Sequence, residues 1–281
     1  MRSKLLGFFA AVAALAAVST VAPAADMIGN CELSGTKGAN PIANPFKAGQ
    51  ITVAVNLPAP IWWNGDTPEE IKDGMEYCIA AEIAWRAGYD KLEVVNVGWD
   101  PLVAGQVKDF DLAMSQISIT DERKKVVDFS VPYFNSDIGV LVKAAAPVDE
   151  ASLKTKTIAV QQATTGASYV MDVLKLPNVQ VYPTQPDMLT ALQAGQVDAV
   201  MTDTAIVLAE ELKSKGQSQV VGQYKTGETY GAIYPKGGTN NAAFDAILSA
   251  MIADGTMSKL ADKYLASVWG KDPAKVPYFN P

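Results

Sequence analysis

The stretch TIAVQQATTGASYVMDVLKLPNVQVYPTQPDMLTALQAGQVDAVM, residues 157–201, alternates short β-rich runs with helical segments. It predicts strands at 157–160, 179–182 and 198–201, with helices at 168–174 and 186–193 between them. Gly195 lies two residues after the second helical segment, where glycine commonly ends a helix. Strands and helices that alternate at these lengths are typical of parallel, doubly wound sheets.

A similar series precedes this stretch. Strands are predicted at 51–55, 92–97 and 111–115, and a short helix at 101–107. Thr67-Pro68-Glu69-Glu70 resembles a capping box, which predicts a helix from Thr67 to about Gly88 that Gly74 can divide. Outside the quoted stretch, the pattern also predicts a strand at 138–142, a helix at 204–213, a last strand at 229–234, and helices at 241–253 and 257–267.

The two series predict an α/β protein of two doubly wound lobes joined by a hinge. Lobe 1 takes residues 48–135 and 229–281, and lobe 2 takes residues 136–228. Hinge segments are expected near Tyr133–Ile138 and Glu228–Gly231. Because ligands bind outside the carboxyl ends of the strands in open α/β sheets, the cleft between the lobes is the expected ligand site.

The N-terminus resembles a secretory signal. Arg2 and Lys4 precede the apolar run 5–18, and Ala22-Pro23-Ala24 offers small residues for cleavage. The alternative, a membrane anchor, needs about 20 apolar residues, which this run does not reach. We therefore predict a cleaved signal at residues 1–24 and a periplasmic location.

Composition excludes several classes of function. Removal of the signal takes the formal charge from −7 to −9, which argues against nucleic acid or anionic lipid as a partner. The sequence has no histidine, which excludes Ser-His-Asp and Cys-His catalysis and histidine-ligated zinc. Carboxylate or lysine acid–base catalysis stays open.

The two cysteines, Cys31 and Cys78, both lie in the exported part. An even pair in an oxidising compartment predicts a disulfide. Two unrelated buried thiols are the alternative, and lipidation of Cys31 is poorly supported by the preceding Ile28-Gly29-Asn30. Cys31 belongs to a Gly-, Asn- and Pro-rich segment, residues 25–47, which we predict to be an irregular arm tied down only through this cysteine.

The segment ISITDERKKVVDFSVPYF, residues 117–134, closely resembles the signature of the family 3 extracellular solute-binding proteins. These are the polar amino-acid receptors of ABC importers, such as glutamine-binding protein. VQQATT (160–165), GQVDAVMTD (195–203) and YGAIYPK (230–236) agree with the family in order and spacing. The resemblance implies a type II periplasmic-binding-protein fold whose lobes close on a ligand. It further implies a monomer that works with membrane permease subunits, without catalytic residues, metal or cofactor.

The resemblance also implies residue roles. Arg123 would grip the ligand carboxylate, with Ser118 and Thr120 beside it and Thr165 and the Gly166 amide facing it from the other lobe. Asp203 would take the ammonium group, and Trp99 would stack on the ligand side chain. The full set of predicted ligand-binding residues adds three to these: Gln116, Asn56 and Trp62.

Physical chemistry supports some of these roles and offers simpler alternatives for others. Cations at an apparent helix start after Thr120 oppose the helix dipole, and a bound anion would resolve that conflict for Arg123. Lys124 and Lys125 are predicted to form an ordinary solvated basic face. Asp203 could be only the N-cap of the next helix, since it lies between a strand and a helix.

The tryptophans Trp62, Trp63 and Trp99 could equally be core residues, which is the usual fate of this side chain. For Trp99, the matched position in the family adds weight to a binding role.

Departures from the family pattern leave the ligand unidentified. Cys78 replaces a common aspartate, Gln116 and Ala163 replace common glycines, and Asn56 replaces the aspartate of receptors for cationic side chains. The last change argues mildly against lysine or arginine as the ligand.

Two other classes of function stay open at this point. One is an enzyme on the same fold, such as a cyclohexadienyl dehydratase, for which Glu76 and Asp66 are weak candidates as proton donor. The other is a sensory module that signals through a membrane partner.

Overall fold

The computed structural model describes residues 26–270 and 272–281, so the predicted signal at residues 1–24 lies outside the described residues. Twelve strands are present in these ranges: β1 Met27–Ile28, β2 Cys31–Glu32, β3 Ile51–Val55, β4 Leu92–Asn96, β5 Leu112–Ala113, β6 Asp128–Phe129, β7 Phe134–Lys143, β8 Ile158–Gln161, β9 Val179–Tyr182, β10 Ala199–Asp203, β11 Ser218–Tyr230 and β12 Ile233–Tyr234.

Ten α-helices occur in the same ranges: α1 Met75–Arg86, α2 Trp99–Val103, α3 Asp121–Lys124, α4 Glu150–Leu153, α5 Thr165–Ser168, α6 Gln185–Ala194, α7 Thr204–Lys213, α8 Asn241–Ala253, α9 Thr256–Ala261 and α10 Ser267–Trp269. Two π-helical turns, Tyr169–Val173 and Asp262–Ala266, continue α5 and α9, and a 3₁₀ turn spans Pro273–Lys275.

Ten of these strands form two five-stranded sheets, as the two βα series predict, while β1 and β2 pair with each other. The first sheet has the order β4-β3-β5-β12-β6, with β3 parallel to both β4 and β5. The second has the order β11-β7-β10-β8-β9, with β8 parallel to both β9 and β10. Antiparallel strands complete both sheets, so each is mixed rather than purely parallel. These sheets confirm the two-lobed α/β fold class.

Two long strands connect the sheets. β7 and β11 pair in antiparallel register from Phe134 opposite Tyr230 to Lys143 opposite Ser218. The register shifts between Tyr224 and Glu228, where the intervening residues have no partner in the ladder. An interrupted ladder leaves fewer bonds to resist bending at that point. This break supports the proposed hinge near Glu228–Gly231.

The N-terminal arm is held more firmly than the sequence suggests. The disulfide Cys31–Cys78 is present, as predicted, and links β2 to α1 with Cα atoms 5.4 Å apart. The Glu82 carboxylate also accepts bonds from Ser34 N (3.0 Å) and Gly35 N (2.7 Å). Buried Arg86 contacts the same carboxylate at 2.7 Å. The expectation that Cys31 alone ties down the arm was therefore wrong.

The predicted helix from Thr67 does not form. α1 begins only at Met75, after Gly74 at φ 121°. A β-carbon at position 74 would lie 2.4 Å from the Trp62 carbonyl oxygen, so glycine is required there. Glu70 still accepts from Thr67 N at 3.3 Å, but this pair closes a turn instead of starting a helix. The capping pattern reports only on neighbouring residues, whereas the tertiary packing around Gly74 determines where the helix begins.

The last residues leave lobe 1. Gln223 of β11 pairs with Tyr278 in a parallel bridge, and the Phe279 ring packs against Gly222 and Tyr224. Asn280 N also donates to Glu150, which begins α4. The predicted lobe 1 segment 229–281 thus ends in a tail, residues 272–281, that contacts the lobe 2 side of the long strands.

Candidate ligand-binding cleft

A polar cleft lies where the two sheets face each other. It is lined by seven residues from each side, which mostly follow the carboxyl ends of strands: Asn56, Pro58, Trp99, Ser115, Gln116, Ser118 and Arg123 from lobe 1, and Gln161, Thr164, Thr165, Gln185, Thr202, Asp203 and Ile206 from lobe 2. We call this space the interlobe cleft. Its position agrees with the strand-end rule for open α/β sheets.

Arg123 lies between the lobes and is only 8% exposed. Its Nη1 donates to the Ser118 carbonyl (2.8 Å), and its Nη2 donates to the Ala163 carbonyl of lobe 2 (2.9 Å). Burial lowers the pKa of Arg123, while Asp203 and Glu228 act in the opposite direction. A guanidinium has five N–H donors, so three of them are not engaged in these two bonds.

The helix that carries Arg123 differs from its expectation. The helix begins directly after Thr120, as predicted, but α3 has only four residues, so Arg123 lies close to both of its ends. A single turn has little dipole, so the role of Arg123 depends on its guanidinium and not on the helix start. Lys124 and Lys125 pair with Asp121 and Glu122 at the surface, which is the solvated basic face that the sequence predicts.

Ala163 joins Arg123 to Trp99. The Trp99 Nε1 donates to the Ala163 carbonyl at 3.3 Å, and the Arg123 Cζ lies 5.2 Å from the centroid of the Trp99 ring. Ala163 adopts a left-handed conformation with φ 57°, which is uncommon without glycine. The cleft wall near Arg123 thus combines an aromatic face with a fixed guanidinium.

Asp203 closes the opposite side of the cleft. It ends β10 and precedes α7, but its side chain makes no capping bond, so the simple N-cap alternative is not what is observed. The residue is 4% exposed. Burial, followed by the neighbouring Glu228, raises the pKa of Asp203 to about 7, against the opposing effects of Tyr230 and Arg123.

Glu228 was anticipated only as part of a hinge, yet it contacts two predicted ligand-binding residues. Its Oε2 accepts from the Ser118 hydroxyl of lobe 1 (2.6 Å) and from the Thr165 hydroxyl of lobe 2 (2.7 Å). Its position on the crossover strand β11 places it between the lobes. A lone glutamate in a strand gives no sequence signal for such a role.

Gln116 is held in the cleft wall by Glu76. Its backbone N donates to Glu76 Oε1 at 2.9 Å, and its side-chain amide donates to Oε2. Trp63 and Tyr133 donate to the same carboxyl group. Burial raises the pKa of Glu76, although these donors oppose the shift. The network holds Gln116 at φ 51°, a conformation that the glycine common in the family would adopt without strain.

The remaining predicted residues are divided between the cleft and its surroundings. Asn56 lines the cleft directly after β3. Thr120 lies outside the lining and accepts from Arg123 N at 3.2 Å as the N-cap of α3. Gly166 allows α5 to approach β10, because a β-carbon there would lie 3.1 Å from the Met201 carbonyl oxygen.

Trp62 does not form a pocket wall, contrary to the expectation. It is 1% exposed and packs against Phe134 and Tyr230, with ring centroids 5.1 and 5.7 Å away. It belongs to the core, which is the alternative that the sequence offered.

Several lining residues were missed. Ser115 and Gln161 follow or end predicted strands, so the strand-end rule could have found them. Gln185 and Ile206 lie near the starts of α6 and α7, where no motif marks a ligand contact.

Comparison with known proteins identifies the family. Residues 51–267 match the family model of the bacterial extracellular solute-binding proteins, family 3. The chain therefore belongs to this family, as its sequence motifs indicate. No helix within residues 26–270 and 272–281 is long and apolar enough to cross a membrane.

Curated relatives are named as binding proteins. A probable histidine-binding protein of Neisseria gonorrhoeae is 30% identical over 250 residues, which cover 86% of this chain and 91% of the relative. The L-cystine-binding protein of Escherichia coli K12 is 29% identical over 203 residues, with 69% and 74% covered.

Solved structures agree. The arginine-, lysine-, histidine-binding protein of Geobacillus stearothermophilus is 34% identical with a TM-score of 0.68, covering 80% of this chain and 96% of that one. An ancestral arginine-binding protein bound to arginine gives a TM-score of 0.69 at 29% identity, with 77% and 98% covered.

Proposed function

We propose that this protein is the periplasmic solute receptor of an ABC importer and that it binds an α-amino acid or close derivative in the interlobe cleft. One observation carries the proposal: Arg123 of lobe 1 and Asp203 of lobe 2 line the same cleft. A guanidinium binds a carboxylate through paired, charge-assisted bonds, and a buried carboxylate needs a cation such as an ammonium group. An α-amino acid supplies both charges on one carbon atom.

The rest of the lining favours a polar, uncharged ligand side chain. Four carboxamides face the cleft, from Asn56, Gln116, Gln161 and Gln185. A carboxamide both donates and accepts hydrogen bonds, so it suits an amide or hydroxyl group better than a second full charge. Among the curated relatives, the one named for glutamine fits this description, whereas those named for cystine and arginine have ligands with further charges.

The binding function is favoured over catalysis. Neither earlier candidate for a proton donor lines the cleft: Asp66 is exposed in a loop, and Glu76 is wholly buried behind Gln116. Importer permease subunits are the proposed partners. The receptor is proposed to work as a monomer, which light scattering coupled to size exclusion will test.

A thermal-shift screen of the common L-amino acids and L-cystine tests the function. A ligand at about a hundred times its dissociation constant stabilises the protein by about 2.7 kcal/mol, which corresponds to a melting shift of roughly 5–10 °C. The methyl ester of each active compound is the control, because it lacks the charge that Arg123 would bind. Absence of any shift, together with turnover of prephenate or arogenate, would establish the enzyme alternative instead.

A further inference from the structure

We propose that Glu228 is a positioning residue of the interlobe cleft, which makes the Ser118 and Thr165 hydroxyls hydrogen-bond acceptors for a ligand ammonium group and draws the two lobes together. The part that concerns the ligand rests on the function proposed above. The part that concerns the lobes does not.

The first step is the direction of the two hydrogen bonds. Ser118 Oγ and Thr165 Oγ1 both donate to the same oxygen, Glu228 Oε2, at 2.6 and 2.7 Å. A carboxylate oxygen only accepts, and a hydroxyl has a single hydrogen to donate. Glu228 therefore takes the one donor that each hydroxyl has.

The second step concerns what the cleft then offers to a ligand. Ser118 and Thr165 both line the cleft, whereas Glu228 contacts them from beyond its lining. With their hydrogens directed at Glu228, the two hydroxyls present lone pairs to the cleft. Lone pairs suit an ammonium group and repel a carboxylate, so these hydroxyls act together with Asp203. The family resemblance instead predicts that Ser118 and Thr165 lie beside the ligand carboxylate.

The third step is the connection between the lobes. Ser118 precedes α3 in lobe 1, and Thr165 begins α5 in lobe 2. Both hydroxyls can reach one oxygen only when the lobes are close together. Two charge-assisted bonds then favour the closed arrangement, and neither bond requires a ligand atom.

The experiment compares Glu228→Ala and Glu228→Gln with the wild type. Glu150→Ala is the matched control, because Glu150 also accepts two bonds, from Asn280 N (2.9 Å) and Nδ2 (3.1 Å), outside the cleft. Small-angle scattering of ligand-free protein should give a larger radius of gyration for Glu228→Ala than for the wild type and the control. Glu228→Gln keeps an acceptor oxygen and should be intermediate. Equal radii for all four proteins would overturn the connection between the lobes.

Calorimetric titration tests the hydroxyl polarity with two probe pairs. L-Glutamine is compared with 4-carbamoylbutanoate, and L-arginine with 5-guanidinopentanoate; each second compound lacks the ammonium group. The preference for the amino acid should fall about tenfold or more in Glu228→Ala, because the freed hydroxyls can donate to a carboxylate. General structural damage would weaken both members of a pair and leave the preference unchanged, which would overturn this role. If the wild type binds neither amino acid, the comparison is repeated with the best ligand of the thermal screen and its analogue without the ammonium group. A wild type that binds no compound of the screen contradicts the proposed function, and the scattering result still decides whether Glu228 connects the lobes.

Discussion

At the scale of single residues, the cleft depends on a few charges that have little contact with water. Arg123 and Asp203 are 8% and 4% exposed. Buried charges are costly unless they are paired, so each of these groups gains most when a ligand of opposite charge arrives. Unpaired buried charges lower the stability of the ligand-free protein and raise its affinity for a ligand that pairs with them.

Replacement of Arg123 tests its role as the carboxylate anchor. Removal of one member of a desolvated charge pair costs about 3–5 kcal/mol. At about 1.4 kcal/mol per tenfold, Arg123→Met should weaken binding of the best ligand from the thermal screen at least a hundredfold. Arg123→Lys should restore only part of the loss, because an ammonium group lacks the planar fork of donors. Titration calorimetry measures all variants.

Lys125→Met is the control for this comparison. Lys125 is 65% exposed and pairs with Glu122 at the surface, so its loss should leave the affinity nearly unchanged. If Lys125→Met weakened binding as much as Arg123→Met, the assignment of the anchor would be wrong.

The raised pKa of Asp203 predicts how stability depends on pH. Its pKa is about 7 in the folded protein and about 3.8 when unperturbed. Between these values the unfolded chain releases the proton and the folded protein keeps it, so the free energy of unfolding falls as the pH rises. Asp203→Asn removes this loss and should therefore stabilise the ligand-free protein at pH 8, by at most about 4 kcal/mol. The stabilisation should shrink steadily toward pH 4.

Denaturant unfolding of the wild type and Asp203→Asn at pH 5 and pH 8 measures this effect. The difference between the two proteins should be larger at pH 8. A difference that is independent of pH would show that Asp203 titrates at an ordinary pKa.

At the scale of elements, α1 connects the arm, the core and the cleft. It is almost wholly buried. Cys78 holds the arm covalently, Glu82 holds it through hydrogen bonds, and Glu76 supports Gln116 in the cleft wall. These three side chains lie within about two turns of a helix in which only Trp85 is not buried.

Loss of the disulfide should destabilise the protein without detaching the arm completely. The crosslink joins residues 47 positions apart. A loop of this length gives at most about 4 kcal/mol in the chain-entropy estimate. The double variant Cys31→Ser/Cys78→Ser should therefore unfold at lower denaturant, and reduction of the wild type should produce the same loss.

Mass spectrometry after alkylation provides the direct check of the crosslink. Native protein should take up no alkylating agent until it is reduced. Two alkylated thiols in unreduced protein would contradict the disulfide.

At the scale of the whole molecule, contacts across the cleft hold the lobes against each other. Arg123 donates to Ala163, and Gln162 of lobe 2 donates to Asp100 of lobe 1. The strands β7 and β11 connect the lobes, and the tail at residues 272–281 adds a contact beside them. A ligand that binds both lobes should shift this arrangement toward closure.

Scattering with and without ligand tests closure. Saturation with the best ligand from the screen should reduce the radius of gyration of the wild type. Arg123→Met at the same ligand concentration should contract less, since most of its molecules stay unbound. An unchanged radius in the wild type would show that the cleft is already closed without ligand.

The sequence alone determined the fold class, the family and the residues of the two main charges. The alternation of β and α segments is visible in the local hydrophobic periodicity. The family signature in the segment 117–134 is a pattern of residue types, so it can be recognised without knowing the orientation of the side chains. For Cys31 and Cys78, the cysteine count and the predicted oxidising compartment were sufficient to predict the disulfide. These features depend on local sequence or on composition, so they can be recognised without the tertiary structure.

Tertiary structure decided which residues meet. Thr67 and Gly74 show this for an element, because a correct local capping pattern gave only a turn once the backbone packed against Trp62. Glu228 shows it for the cleft, since residues 110 and 63 positions away supply its two hydroxyl partners. Contacts over such separations depend on how two sheets face each other, and no local pattern of residues encodes that geometry.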